Sequence, residues 1–207
     1  TDGDGDTAQA GFTFQVTDAN TPSDNNKSVA AVDDDGLTGG NPTSTVGDLN
    51  ANLAGDTNTS EAVFTSMLQG SVGADGAGSN GFTFATALSG GTATLGQETV
   101  TYTVVGGVLT AKITTSPDAT RVGTDLFKVE ITDKATGAYT VTLLDNVLHA
   151  AGPDDEGTTD PTVVLGYVIT DADGSATTNN TLTITFDDDA PSATVEMVGM
   201  VDLRKQT

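Results

Sequence analysis

The chain contains no cysteine and no tryptophan, one histidine, and 7 lysines and arginines against 29 aspartates and glutamates in 207 residues. Without cysteine, neither a disulfide framework nor a thiolate metal site can stabilise the fold. So few cations exclude a surface that tracks nucleic-acid phosphates, which needs clustered Lys and Arg. No run approaches the roughly 18 apolar residues of a membrane-spanning helix, and the first residues do not form a basic-then-apolar leader. His149 stands alone in the segment NVLHA, with no Gly-x-Ser-x-Gly element and no phosphate loop elsewhere. It is expected to be a packed or capping residue. Carboxylate pairs are so frequent that their presence does not single out glycoside hydrolysis. The chain is expected not to be an enzyme.

What the chain has in abundance is negative charge and short alternating runs. A formal net charge of −22 disfavours a compact state unless something cationic offsets it. The apolar residues nevertheless alternate with polar ones, which is the pattern of a folded chain and not of a disordered one. In ETVTYTVVGGVLTAKITT (98–115), Val100, Tyr102 and Val104 alternate with polar residues, Gly106-Gly107 supplies a tight turn, and the return strand starts at Val108. A second hairpin joins 125–132 to 138–145 through DKATG, with Phe127, Val129 and Ile131 on one face and Lys128 and Glu130 on the other. Further strands are expected over 10–17, 28–32, 81–87, 162–170 and 181–186. Residues 61–69 suit either a short helix or a strand, and 146–152 one helical turn. Many short strands, Thr-rich runs and turn residues between them predict an all-β fold, an antiparallel β-sandwich.

The two ends repeat one another. Thr1, Asp2, Asp4 and Gly5 match Thr170, Asp171, Asp173 and Gly174 at an offset of 169, and Pro22 matches Pro191 at the same offset. FTFQVTD (12–18) aligns with LTITFDD (182–188) after a one-residue slip, which sets Asp18 against Asp188. Residues 1–27 therefore read as the terminal strand of a preceding module plus a linker, and 28–191 as one module. Residues 192–207 read as the start of a further element or a leftover of cloning, and the whole as excised from something longer.

The same repeated ends carry clustered carboxylates. Calcium prefers several hard oxygen ligands in a flexible shell. Asp2, Asp4 and Asp6 place three carboxylates at every second position with glycines between them, and Asp171 and Asp173 repeat a shortened version. Asp33, Asp34 and Asp35 near the module's start, and Asp187, Asp188 and Asp189 at its end, are like charges that a cation would relieve. These Asp residues, with Asp18, are the candidate metal ligands, and several calcium ions the candidate cofactor. An EF-hand is excluded: counted from Asp2, Thr7 stands where the sharp turn needs Gly and Thr13 where the bidentate Glu belongs. Asp133 and the acidic residues at 154–156 are weaker candidates, as Asp also favours plain turns.

The residues AVDDDGL (31–37), TYTVVGGVLTA (101–111), AYTVTLLDNVLHAAG (138–152) and VLGYVITDADGSATTNNTLTITFDDDAP (164–191) resemble the tandem-repeat modules of very large RTX adhesins, exported by type I secretion in Gram-negative bacteria. The closing segment is the most specific part of the likeness. The resemblance implies an Ig-like sandwich with calcium-binding loops, placed outside the cell on the bacterial surface and serving in adhesion and biofilm formation. It also implies calcium at Asp33, Asp34, Asp171, Asp173 and Asp187 to Asp189, and adjacent modules of the same chain as partners. The module is then a monomeric extender, with no nucleic acid partner and no membrane insertion, that projects domains bearing the cell-surface or biofilm ligand. The linker NTPSDNNKS (20–28) and the tail MVGMVDLRKQT (197–207) depart from the pattern. The alternative is a domain that itself grips a sugar or peptide, with the loop GADGAGSNG (73–81) as a possible host. Sugar sites favour an exposed aromatic platform, whereas Phe12, Phe14, Tyr102, Phe127, Tyr139, Tyr167 and Phe186 mostly fall on alternating strand positions and are expected in the core.

Overall fold

Alternation of buried and solvent-facing side chains becomes ten strands in the computed structural model, which describes residues 3–15, 21–34, 36–38, 61–148 and 160–187. In chain order these are β1 (Lys27–Asp33), β2 (Val63–Met67), β3 (Gly81–Phe84), β4 (Thr92–Leu95), β5 (Glu98–Val105), β6 (Val108–Thr115), β7 (Asp125–Asp133), β8 (Ala138–Leu143), β9 (Thr162–Thr170) and β10 (Ala176–Asp187). One 3-10 turn, Thr86–Leu88, is the only helical element among the described residues. The strands form two sheets, one of four in the order β1-β10-β9-β3 and one of six in the order β2-β8-β7-β6-β5-β4. The protein is an all-β sandwich.

Both anticipated hairpins are present. Gly106 and Gly107 take φ of 62° and 89°, the left-handed pair that matches the twist of β5 and β6. The inward faces supply the core: Val100 and Tyr102 from β5, Leu109, Ala111 and Ile113 from β6, Phe127, Val129 and Ile131 from β7. Leu182, Ile184 and Phe186 of β10 face them from the smaller sheet, and the rings of Phe127 and Phe186 meet at 5.0 Å across the sandwich.

Several expectations need correction. Residues 10–15 form no strand, and Phe12 and Phe14 are 85% and 74% exposed, stacked only on each other at 5.9 Å. Their counterparts in β10 occupy the slot between β1 and β9, and within this chain that slot is already filled. The strand expected over 81–87 stops at Phe84, because the Ala85 N–H turns to the Gly166 carbonyl and a 3-10 turn follows. Residues 63–67 resolve the ambiguity at 61–69 as a strand. β4 was not anticipated, and β10 starts five residues before the expected 181. Asn146 to Leu148 form no helical turn, and the rest of that segment, His149 included, lies outside the described residues. So do 154–156 and 197–207.

One pairing governs how the chain passes through the module. All the strand pairs are antiparallel except β1 with β10, which run parallel in register from Lys27 beside Thr181 to Asp33 beside Asp187. The start of the first strand and the end of the last therefore lie at opposite poles, about 20 Å apart along the ladder at roughly 3.3 Å per residue. The chain enters at one pole and leaves at the other.

Gly81 supplies a local test of this architecture. Its φ is +53°, and a Cβ there would overlap the Lys134 carbonyl, whose oxygen accepts the Phe82 N–H at 2.9 Å. Gly81→Ala is expected to cost more than the roughly 1–2 kcal/mol of a left-handed alanine, because the β3 edge must also move. Urea unfolding measures it, and a loss below about 1 kcal/mol would contradict the contact.

Candidate metal centre

At the entry pole, a turn after β9 brings its own carboxylates together. The Asp171 N–H donates to the Ser175 carbonyl at 3.1 Å. Asp171 Oδ1 accepts the N–H groups of Gly174 (3.0 Å) and Ser175 (2.8 Å), and Asp173 Oδ1 also accepts from Ser175 at 3.0 Å. Gly174, at φ 98°, closes the turn. The second oxygen of Asp171, Oδ2, is buried and accepts no hydrogen bond.

The loop between β2 and β3 completes the group. Asp75 offers an oxygen that, with one each from Asp171 and Asp173, forms a set lying within 4.8 Å of one another. The loop can lie this close because Gly78, at φ +55°, faces Ala172: a Cβ there would come within 2.9 Å of the Ala172 Cα. Asp171 is buried to 3% exposure, whereas Asp75 and Asp173 are exposed. Burial pushes the Asp171 carboxyl up from its ordinary value, and Asp173 pushes it further by hydrogen bond and charge, against the Ser175 and Gly174 N–H groups.

This arrangement suits a hard divalent cation. Its donors are carboxylates without His or Cys, the oxygen set that calcium takes and zinc does not favour. The buried Asp171 oxygen is the observation that separates it from a solvated turn, since buried polar atoms normally find a partner. Asp75, Asp171 and Asp173 would hold the ion, and the ion would neutralise the repulsion among them.

A second concentration of acid lies at the exit pole. Asp33 and Asp187 are register neighbours across the parallel ladder, each 3% exposed, and Asp34 is also buried. The Asp33 N–H donates to the Glu61 carbonyl at 3.1 Å, which sets Glu61 against the end of β1, and the Leu37 N–H donates to the Asp34 carbonyl at 2.9 Å. These carboxylates do not form a convergent trio among the described residues.

Of the other residues named from the sequence, Asp4 and Asp6 lie on an exposed segment, where Asp4 Oδ1 accepts the Asp6 N–H at 3.4 Å, and neither belongs to the Asp75, Asp171 and Asp173 group. Asp2, Asp18, Asp35, Asp188 and Asp189 lie outside the described residues. Asp133 is a turn residue: its oxygens accept from the Ala135 N–H (2.8 Å) and the Thr136 hydroxyl (2.9 Å), which hold its carboxyl below its ordinary value. Asp75 was not among the sequence candidates, although the loop bearing it was singled out for a ligand. Its distance of 96 positions from Asp171 leaves no local spacing to read.

No helix among the described residues is long and apolar enough to cross a membrane. Comparison with curated proteins and with solved structures finds none that matches. A family model described only as a domain of unknown function, DUF5801, matches residues 19–185, most of the chain and nearly all of the sandwich, and the protein belongs to that family.

Proposed function

We propose that this protein is a calcium-stabilised extender module of a bacterial cell-surface adhesin of the RTX type. It would lie outside the cell and project ligand-binding domains carried elsewhere in the same chain. The observation that supports this most is the placement of acid: carboxylates gather at both poles of a sandwich that the chain enters at one pole and leaves at the other. Ions held there stiffen the points where successive modules would meet. The work is mechanical and involves no reaction.

Extracellular modules bind calcium with Kd of about 10⁻⁴–10⁻³ M, matched to millimolar calcium outside cells. Before export, at low calcium, the charge of −22 would oppose folding; outside, the metal would favour it. Thermal unfolding in EGTA and across a calcium titration to about 10 mM tests the reading, with magnesium as control. At a hundredfold excess over Kd each site adds about 2.7 kcal/mol, a rise in midpoint of roughly 5–10 °C for a domain of this size. Magnesium, smaller and bound to keep its waters, is expected to do less. Asp171→Asn, or Gly78→Ala, which pushes the Asp75 loop away, should remove the entry-pole share of the rise. Identical midpoints in EGTA and calcium would overturn the proposal.

A further inference from the structure

The β1–β10 ladder is loaded in a particular way when the chain is pulled from its ends. Force enters at Lys27, the start of β1, and leaves at Asp187, the end of β10. Because the strands run parallel, tension draws β1 toward the entry pole and β10 toward the exit pole, so the two slide along each other. Every hydrogen bond over the seven register pairs is then strained together. Had the strands been antiparallel, their free ends would have lain at the same pole, and the bonds would have opened one after another.

A polar strap lies just ahead of this ladder. Asp24 accepts from the Asn179 backbone N–H (3.1 Å) and from its side-chain amide (2.8 Å). Asn180, 1% exposed at the irregularity in β10, accepts through Oδ1 from the Asn26 N–H (3.0 Å) and amide (2.9 Å). The Thr181 N–H then reaches the Asn26 carbonyl at 3.0 Å, where the ladder begins. Ser23 is tied to the loop after β2 by the pair Ser23 N–H to Ser71 carbonyl (2.9 Å) and Ser71 N–H to Ser23 hydroxyl (2.7 Å). Residues 23–26 thus join the incoming chain to β10 before any backbone pairing starts.

We infer that the parallel β1–β10 ladder, with the Asp24–Asn179 and Asn26–Asn180 strap, is a shear clamp that makes this module resist tension applied along the chain. The inference deepens the extender reading and rests on it for its biological setting, but the geometry belongs to the sandwich itself. The clamp spans the site of entry and the site of exit, so no other part of the module can extend before it breaks. Its failure should release the roughly 160 residues between Lys27 and Asp187 in one event, about 500 Å of contour at ~3.3–3.6 Å per residue.

The absence of cysteine from the sequence lets introduced thiols serve as handles for single-molecule pulling. The full chain carrying T21C and T207C is loaded end to end, and the full chain carrying T21C and T178C is loaded at the entry pole alone, where β1 peels from β10. Rupture in the first geometry is expected at about twofold higher force or more, since several hydrogen bonds must break at once and not singly. Equal forces in the two geometries would overturn the clamp. So would a first release much shorter than about 500 Å in the end-to-end geometry, which would mean that another part yields first. Either failure leaves the calcium dependence of thermal unfolding, and with it the extender reading, to stand or fall on its own test.

Discussion

Replacing Arg121 with alanine is expected to destabilise the protein by about 3–5 kcal/mol and to reverse the pH dependence of what Glu98 contributes to stability. Arg121 comes from the loop between β6 and β7 and meets Glu98, the first residue of β5, through two bonds of 2.7 and 3.0 Å. Its Nη1 reaches Asn146 Oδ1 and Asp145 Oδ1, and the Nη2 that bonds Glu98 also donates to the Asn146 carbonyl. Glu98 is fully buried. Burial alone would push its carboxyl up, but hydrogen bonds from Arg121 and Ser116, with the Arg121 charge, hold it below its ordinary value of 4.5. In the native protein this contribution is present above pH 4.5 and lost as pH falls through the depressed value. Without Arg121, burial is opposed chiefly by Ser116 and the Leu148 backbone, and the carboxyl rises above its unfolded value. Its contribution to stability would then be greatest at low pH and decline as pH rises through that raised value. Urea midpoints between about pH 4 and 7 measure both effects. Glu98→Leu combined with Arg121→Met should recover most of the loss, because the cost lies in stranding one buried charge. A loss below about 1 kcal/mol, the level of an exposed pair, would show that the Glu98 carboxylate does not depend on Arg121.

The elements that were legible in the sequence are those whose periodicity is local. Gly106-Gly107 between alternating runs fixed the β5–β6 hairpin, and Phe127, Val129 and Ile131 marked the inward face of β7. The parallel partnership of β1 and β10 was not legible, because strand alternation says which face is buried and nothing about which edge is paired. Two of the three residues of the entry-pole centre were legible, again because their spacing is local. Asp171 and Asp173 stand two apart in one turn, while Asp75 joins them only through the packing of Gly78 against Ala172. Glu98 reads from the sequence as one more acid at a strand start, although its pairing with Arg121, 23 positions on, makes it structural.

Poles and core have different physical jobs. The poles concentrate acid, whereas Arg121 is committed to Glu98 and Asp145. Lys112 is spent on Asp125 at 2.6 Å in an exposed pair, worth little to stability. The middle between the poles is apolar and aromatic.

The aromatic residues separate what belongs to that middle from what does not. Phe127→Ala is expected to cost about 3–5 kcal/mol, a large share of the roughly 5–15 kcal/mol that holds a domain folded. Its ring is fully buried and touches Tyr102 edge-on at 6.3 Å as well as Phe186 at 5.0 Å. The cavity would therefore open between the sheets, against Phe186 of β10, the strand that also forms the ladder with β1. Phe12→Ala with Phe14→Ala removes two phenylalanines, both far more exposed than any core position, and should change stability by no more than about 0.5 kcal/mol per site. Thermal or urea unfolding of the two variants beside the parent distinguishes them. If the Phe12 and Phe14 variant lost as much as Phe127→Ala, residues 12–15 would be packing on this sandwich. A negligible loss is what a segment whose sequence resembles β10 should show when the slot between β1 and β9 is already occupied.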